Sequence, residues 1–294
     1  MNKNIDKVLH GVILFIVAFG IVTSATGLFY TNGGAAYNFL NQYGDTVKVY
    51  GNGLYAHDSY FMAPIFRGTD FTILFFAIPT LIIALVRDVQ KNKLKNRLFL
   101  ISVLSIFTYY SASIAFGVTY NVLHLIYIAL FSTSLFGLII SISSISKEQV
   151  AKSIGNKLPS KGIYVFLTLV GASLFVAWLP DIISSLVSGH SLQLIEVYTT
   201  QITYVLDMGV LAPSSFICIL LLKRQDGMGY ILLDILLTLC CFVGILLPIQ
   251  TVFQVLASIS LPIGAVITKV VTFVVLAFFA LYYNSKVLKS HTEL

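Results

Sequence analysis

Residues 51–88 read GNGLYAHDSYFMAPIFRGTDFTILFFAIPTLIIALVRD and join a polar, tyrosine-rich segment to a long apolar run. The run carries Asp70 at one end and Arg87 at the other, with Pro79 between them. A helix needs about 20 apolar residues to cross a bilayer, whereas a membrane β-strand needs only about 10 and alternates in polarity. This stretch therefore predicts a membrane-spanning helix that opens on an acid and closes on an arginine.

The composition extends this prediction to the whole chain. Of 294 residues, 57% are hydrophobic and only 10% are charged, whereas about a quarter of the residues in soluble domains are charged. Backbone polar groups in lipid must be bonded within their own segment, so long apolar runs form helices. We predict an all-α, multi-pass membrane protein. The three cysteines fall in apolar runs without a CxxC pair, so we predict no disulfide, no metal site and no cofactor.

The apolar runs predict eight spans, each long enough to cross the bilayer. They lie at residues 8–29, 70–86, 98–117, 120–143, 163–179, 202–222, 230–247 and 265–283. The tail after residue 249 is too long for one span and too short for two, so we place a short interfacial helix at 252–260. A tyrosine- and glycine-rich loop of residues 30–69 is long enough to fold back onto the membrane surface. Gly155 and Pro159 are expected to break any helix before the fifth span.

Charge predicts the orientation of these spans. Most Lys and Arg residues lie in connections on one side, which the positive-inside rule makes cytoplasmic together with both termini. Only Lys48 and Arg67 then lie outside, and Lys269 falls within a span. This loop pattern is typical of membrane orientation rather than of a nucleic-acid-binding face. Acids gather toward the outer side: Asp45, Asp58, Asp70, Asp181, Glu196 and Asp207.

A second stretch resembles the first. Asp207 and Arg224 bound another apolar run, with the same spacing as the acid and arginine of the first run and again with a proline between them, Pro213. We interpret this as a duplication into halves 1–146 and 147–294, which together form one membrane domain. Four spans per half would make them parallel repeats about an axis along the membrane normal. The alternative is coincidence, because an acid at one interface and an arginine at the other are common in any span.

Six residues are predicted to line a polar pocket between the halves that opens to the outer face. They are Asp207, Lys269, Asp70, Asp181, Asn121 and His124. Asp207 lies about two turns inside its run, where an ionised acid should face a partner or water. Lys269 either reaches outward to the interface or pairs with Asp207 or Asp181. Asp70 has a simpler explanation as an acid at a helix start capped by Thr69.

Asn121, His124 and Tyr127 recur at three-residue spacing, which predicts one shared face of the fourth span. Polar residues on such a face commonly bond to neighbouring helices. A cavity for a solute in the outer half of the membrane is the functional alternative.

These residues are compatible with three functions, and the sequence has no catalytic, nucleotide-binding or metal-binding motif that decides among them. The first is a permease-like or solute-binding protein for a small polar or cationic solute, since an acidic mouth concentrates cations. The second is a membrane enzyme acting on a lipid-linked substrate, or its head group, at the outer leaflet; it needs His57 or His124 beside an acid. The third is a partner or sensor protein that uses an exposed aromatic patch of the 30–69 loop.

Several segments carry a family resemblance: GNGLYAHDS at 51–59, TYNVLHLIYIALFSTSLFGLI at 119–139, YVLDMGVLAP at 204–213 and LLLKRQDGMGY at 220–230. With these segments the chain resembles a family of bacterial membrane proteins of about eight spans. The resemblance implies a bacterial cytoplasmic membrane. It implies no activity and no functional residues, because the family has no established activity.

Overall fold

The computed structural model describes residues 3–91, 93–154 and 160–290, so the predicted breakers Gly155 and Pro159 lie outside it. Eight helices in these ranges are long and apolar enough to cross a membrane, which confirms the predicted number. The helices are α1 (Lys3–Phe29), α2 (Met62–Gln90), α3 (Leu94–Gly117), α4 (His124–Ser143), α5 (Lys147–Ile154), α6 (Ser160–Ser188), α7 (Ile202–Lys223), α8 (Gly227–Leu256) and α9 (Ile267–Ser290). The short helix α5 is not a span. A helical turn, Ile263–Val266, runs directly into α9.

The start of α2 differs from the prediction. The helix begins at Met62, about two turns before Asp70, so the interpretation of Asp70 as a helix-start acid is wrong. Pro64 lies in the first turn, where its missing N–H removes no helical hydrogen bond. Arg67 is tolerated in the helix because its guanidinium donates to the Tyr50 hydroxyl at 3.0 Å and to the Leu28 carbonyl at 3.1 Å.

The separate interfacial helix predicted at 252–260 is also wrong. Helix α8 runs unbroken to Leu256, with Pro248 inside it. Two glutamines near the end of α8 bind α2 and the segment before it. The Gln250 side chain donates to the Thr69 hydroxyl at 2.7 Å, and the Gln254 side chain donates to the Phe61 carbonyl at 3.4 Å. Proline is tolerated within such a helix because neighbouring helices satisfy the freed backbone groups.

Two spans with a proline share a local distortion. A π-helical turn, Ile73–Ala77 in α2 and Asp207–Leu211 in α7, ends two residues before Pro79 or Pro213. A proline ring clashes with the carbonyl four residues earlier, and a widened turn relieves the clash. A third π turn, Ile267–Val271, opens α9 and contains Lys269.

Helices α3 and α8 are the most buried of the eight spans and pack against each other at the centre of the bundle. Helix α3 also packs on α2 and α4, and α8 packs on α7 and α9. At the periphery, α1 packs on α2 and α4, while α6 packs on α7 and α9. Contacts between α2 and α8 and between α3 and α7 join the first four spans to the last four.

At one end of the bundle, four connections form a polar cap of residues 30–61, 118–123, 189–201 and 257–262. The first contains an antiparallel hairpin of β1 (Tyr37–Leu40) and β2 (Thr46–Val49). Asn41 in its turn donates to the Glu196 carbonyl at 2.9 Å. The Thr119 N–H donates to Asp58 at 3.0 Å, and the Tyr60 hydroxyl donates to the Ala257 carbonyl at 3.2 Å. These bonds hold all four connections together.

The opposite end of the bundle, called here the basic end, contains a buried ion-pair network. The guanidinium of Arg97 in α3 is fully buried and makes two hydrogen bonds, of 3.0 and 2.9 Å, to Asp88 in α2. It also contacts Asp6 in α1 at 2.7 Å and Ser144 at the end of α4 at 2.6 Å. His10 lies 2.8 Å from the same Asp88 carboxylate. One arginine thereby ties together the first four spans.

Candidate functional site

A cavity of about 1360 Å³ lies beneath the cap, bounded by α2, α3, α6, α7, α8 and α9. This volume exceeds the roughly 300–1000 Å³ of ordinary small-molecule sites. Polar residues line it near the cap: Asn41, Asp45, Glu196, Gln201, Gln250 and Gln254. Apolar residues of α8 line it farther from the cap: Leu236, Leu239, Phe242, Val243 and Leu246. The space is therefore polar at the cap and apolar toward the middle of the bundle.

Asp207 lies in the wall of this cavity and is only 6% exposed. The Tyr109 hydroxyl of α3 donates to one carboxylate oxygen at 2.8 Å, and the Trp178 indole N–H of α6 donates to the other at 2.8 Å. The acid thus has neutral donors from two neighbouring helices. This is the arrangement expected of a carboxylate that cannot be left facing lipid.

Lys269 of α9 pairs with Asp181 of α6, which is one of the two partners predicted for it. Its ammonium lies 3.0 Å from the Asp181 carboxylate and 4.7 Å from the centre of the Trp178 ring. The Tyr204 hydroxyl donates to the same carboxylate oxygen at 2.7 Å, and its ring stacks on Trp178 at 4.6 Å. Trp178 therefore lies between the two acids: it donates to Asp207 and offers its ring face to Lys269.

Asp70 belongs to a different cluster, which is fully buried between α1, α2 and α3. The Tyr55 hydroxyl donates to its carboxylate at 2.5 Å and the Tyr110 hydroxyl donates at 2.9 Å. Gly27 of α1 makes this close approach possible, because a β-carbon there would overlap the Asp70 carboxylate and lie 2.7 Å from the Tyr55 hydroxyl. Among the described residues that line the cavity, Asp70 is absent, although Thr69 and Tyr110 beside it are present.

Asn121 and His124 lie apart from the other candidates. Helix α4 begins at His124, so the predicted shared helical face that includes Asn121 is wrong. Asn121 lies in the preceding turn, where its side chain accepts from the Leu123 N–H at 2.9 Å and donates to the Tyr127 hydroxyl at 3.2 Å. The His124 ring packs on Tyr120 at 5.4 Å. Neither residue is among the described residues that line the cavity.

Two acids, the buried Asp58 and the half-buried Glu196, hold the cap together. Asp58 accepts from the Thr119 N–H and from the Tyr198 hydroxyl, each at 3.0 Å, through a single oxygen. Its other oxygen has no hydrogen-bond partner among the described residues. Burial raises the pKa of Asp58 to about 7 and also raises the pKa of Tyr198. Glu196 accepts from the Ser59 hydroxyl, and burial raises the pKa of Glu196 as well.

The enzyme alternative requires His57 or His124 close to an acid. His57 is exposed, and in the part of the chain that the structure describes no contact joins His57 or His124 to a carboxylate. The described residues also contain no group of three or more His, Cys, Asp or Glu side chains placed to hold a metal ion.

Sequence reasoning missed the aromatic donors of the site. Trp178 is the single tryptophan of the chain and lies three residues before Asp181, a spacing that places both on one side of a helix. That spacing was an available signal. Tyr109 carried no comparable signal, because its contact with Asp207 depends on how α3 packs on α7.

Comparison with protein-family models, with characterised proteins and with solved structures finds no match to this chain. The family resemblance noted in the sequence therefore rests on its segments alone. The structure itself supports a helical protein with eight helices that are long and apolar enough for a multi-pass membrane protein.

Proposed function

We propose that this chain is a permease-like or solute-binding protein of a bacterial cytoplasmic membrane, and that its cavity takes a small polar or cationic solute from the outer face. One observation carries the proposal. A cavity of about 1360 Å³ between the first four and the last four spans is lined by Asp207, Asp181 and Lys269, three of the six residues selected from sequence.

The positive-inside rule supports an outward-facing cavity. The basic end carries the exposed Arg87, Lys152 and Arg224, whereas the cap end carries few basic residues. Short connections rich in Lys and Arg stay in the cytoplasm. The cap and the cavity beneath it then face outward, and both termini lie inside.

Helix packing supports two parallel halves. If α1–α4 correspond to α6–α9 in order, each contact within the first half has a counterpart in the second. The contact of α2 with α8 likewise corresponds to that of α3 with α7, and the central pair α3 and α8 corresponds to itself. This is the pattern of a pseudo-two-fold axis between α3 and α8, and transporters built from repeats bind substrate at such an interface. The matching π turns before Pro79 and Pro213 support the same correspondence.

The lining charges favour a cation. Four acids, Asp45, Asp181, Glu196 and Asp207, line the cavity against Lys269 as the only Lys or Arg among the described lining residues. A cleft lined predominantly by one sign of charge concentrates ligands of the opposite sign.

Uptake by cells expressing the protein tests the proposal. We expect wild-type cells to take up at least one member of a panel of radiolabelled small organic cations and neutral polar solutes above the level of empty-vector cells. Asp207→Asn should lower that uptake at least tenfold with the protein still present in the membrane. Asp226→Asn is the matched control, because Asp226 caps α8 at the basic end through the Met228 N–H and asparagine caps equally well.

Two results would contradict the proposal. One is uptake by wild-type cells that equals the empty-vector level for every member of the panel. The other is an Asp207→Asn variant that transports as well as wild type.

The hairpin favours a second candidate, a partner or sensor protein. Tyr37 and Phe39 are each about half exposed and lie on the same face of β1, a strand that pairs on one side only. Exposed apolar patches of this kind often mark interaction sites. A partner that copurifies with wild type and is lost in Phe39→Ser, with the protein still in the membrane, would support this candidate.

A further inference from the structure

We infer that Asp181, Trp178 and Tyr204 form a binding site for the ammonium group of an organic cation, and that Lys269 occupies this site as a tethered cation that the ligand displaces. The inference rests on the proposed function and names its ligand class. It would make Lys269 a competitor of the solute rather than a contact to it.

The geometry around the Lys269 ammonium is that of an ammonium site. The Asp181 carboxylate supplies a charge-assisted hydrogen bond at 3.0 Å. The Trp178 ring supplies its negative face at 4.7 Å, within the roughly 6 Å over which a cation is attracted to a ring. Tyr204 stacks on that ring and donates to the carboxylate, so it fixes both groups. An alkylammonium ion makes the same contacts as a lysine ammonium because the two groups are chemically alike.

Exposure separates this pair from a structural ion pair. The Lys269 and Asp181 side chains are 28% and 38% exposed, and both line the cavity. Arg97 and Asp88 at the basic end are each 0% exposed. An ion pair that remains partly hydrated is weak, so an ion from the cavity can replace one member. The fully buried pair has no such access.

The backbone around Lys269 allows its side chain to move away from Asp181 and Trp178. Lys269 lies in the π turn Ile267–Val271, in which no residue is buried. Within the described residues, the two other π turns are each followed closely by a proline, whereas this one is followed by Thr272. When a π turn returns to α-helix, that turn contains one residue fewer. Each residue of an α-helix accounts for about 100° of rotation, so the residues before the turn rotate by about 100°. The ammonium can therefore leave the Trp178 face without unfolding α9.

Trp178 itself reports on the site, because it is the single tryptophan of the chain. The experiment is a titration of the purified full-length protein in detergent with n-butylammonium chloride, followed by tryptophan fluorescence. Sodium chloride at equal ionic strength and n-butanol control for salt and for the alkyl chain. A tethered ammonium competes at an effective concentration in the millimolar range. Lys269→Met should therefore bind n-butylammonium about tenfold more tightly than wild type.

Two further variants complete the design. Lys269→Met combined with Asp181→Asn should lose the fluorescence response. Lys286→Met is the matched control and should titrate like wild type, because Lys286 lies on the same helix with its ammonium 4.9 Å from the Tyr282 ring but at the basic end. If Lys269→Met does not purify as a single folded species, Lys269→Gln takes its place, since it removes the same charge.

The inference is overturned if a folded Lys269 variant binds n-butylammonium no better than wild type. The same result could be accompanied by transport of a neutral solute that Asp207→Asn abolishes. In that case the ammonium site is rejected and the proposed function still stands. The opposite outcome is that the Lys269 variant binds n-butylammonium tightly while cells take up none of the solutes tested. This would establish the ammonium site and reject transport.

Discussion

Tyr109 and Tyr110 are neighbours on α3, yet Tyr109 donates a hydrogen bond to a carboxylate in the last four spans and Tyr110 to one in the first four. Tyr109 bonds to Asp207 of α7 at 2.8 Å and Tyr110 bonds to Asp70 of α2 at 2.9 Å. Successive residues of a helix point about 100° apart, so one turn of α3 faces both α2 and α7. Each carboxylate has a second aromatic donor, Trp178 for Asp207 and Tyr55 for Asp70.

These bonds predict a loss of stability when either hydroxyl is removed. Tyr109→Phe and Tyr110→Phe should each lower the free energy of unfolding by about 1.5–3 kcal/mol, because a buried carboxylate loses one of its donors. Tyr120→Phe should change it by less than about 0.5 kcal/mol, since Tyr120 is 79% exposed. Unfolding in detergent measures all three variants. Equal effects of the three substitutions would contradict the role of the hydroxyls.

Two glycines of α1 should respond to alanine in opposite directions. At Gly27 the added methyl group overlaps the Asp70 carboxylate, so Gly27→Ala should destabilise the protein by about 1–3 kcal/mol. At Gly11 no described atom lies within 4 Å of an added β-carbon, so Gly11→Ala should stabilise the helix by about 0.5–1 kcal/mol. Melting temperatures in one detergent compare the pair. A stabilised Gly27→Ala would mean that Asp70 is not held against α1.

The two arginines that flank the loop from α2 to α3 should differ strongly. Arg97→Ala leaves Asp88 and Asp6 without their buried cation and should cost about 3–5 kcal/mol. Arg87→Ala removes an exposed side chain and should cost at most about 1 kcal/mol. Chemical unfolding of the two variants under identical conditions tests the difference. Similar losses for both would show that the network adds nothing beyond the removal of a surface charge.

The cap should make stability depend on pH through Asp58. Burial raises the pKa of Asp58 from 3.8 to about 7, so the folded state binds this proton more tightly than the unfolded chain. Its contribution to stability is complete below pH 3.8 and is lost as the pH rises to about 7. Asp58→Asn keeps the acceptor oxygen for Thr119 and Tyr198 without a titrating group. We expect this variant to lose much of the fall in melting temperature between pH 4 and pH 7.

Glu148→Gln is the control for this prediction. Glu148 is exposed on α5, and its hydrogen bond from Ser146 lowers its pKa, which gives the opposite sign. The decline in melting temperature should therefore persist in this variant. An Asp58→Asn protein with the same pH profile as wild type would show that the Asp58 proton is not linked to folding.

Local features of the sequence predicted the number of spans, because a run of apolar residues is visible without knowledge of its neighbours. The start of α2 and the end of α8 were misplaced because the local sequence does not show what satisfies Arg67, Gln250 and Gln254 within these helices. Their partners lie far away in the chain. The pairing of Lys269 with Asp181 was within reach of sequence reasoning, because Asp181 was one of the two partners considered for Lys269. The donors to Asp207 were not, because Tyr109 and Trp178 lie on helices whose packing no local pattern encodes.

The bonds that close the cap impose an order on biosynthesis. Asn41 bonds to a carbonyl 155 residues later, and Tyr60 bonds to one 197 residues later. At translation rates of about 5–20 residues per second, the ribosome needs roughly 8–30 s to reach Glu196 after it has made the hairpin. The hairpin must wait undocked through that interval. A nascent chain arrested before Glu196 therefore has its first four spans but lacks the partners that complete the cap. The cap can close only after the later connections have been synthesised.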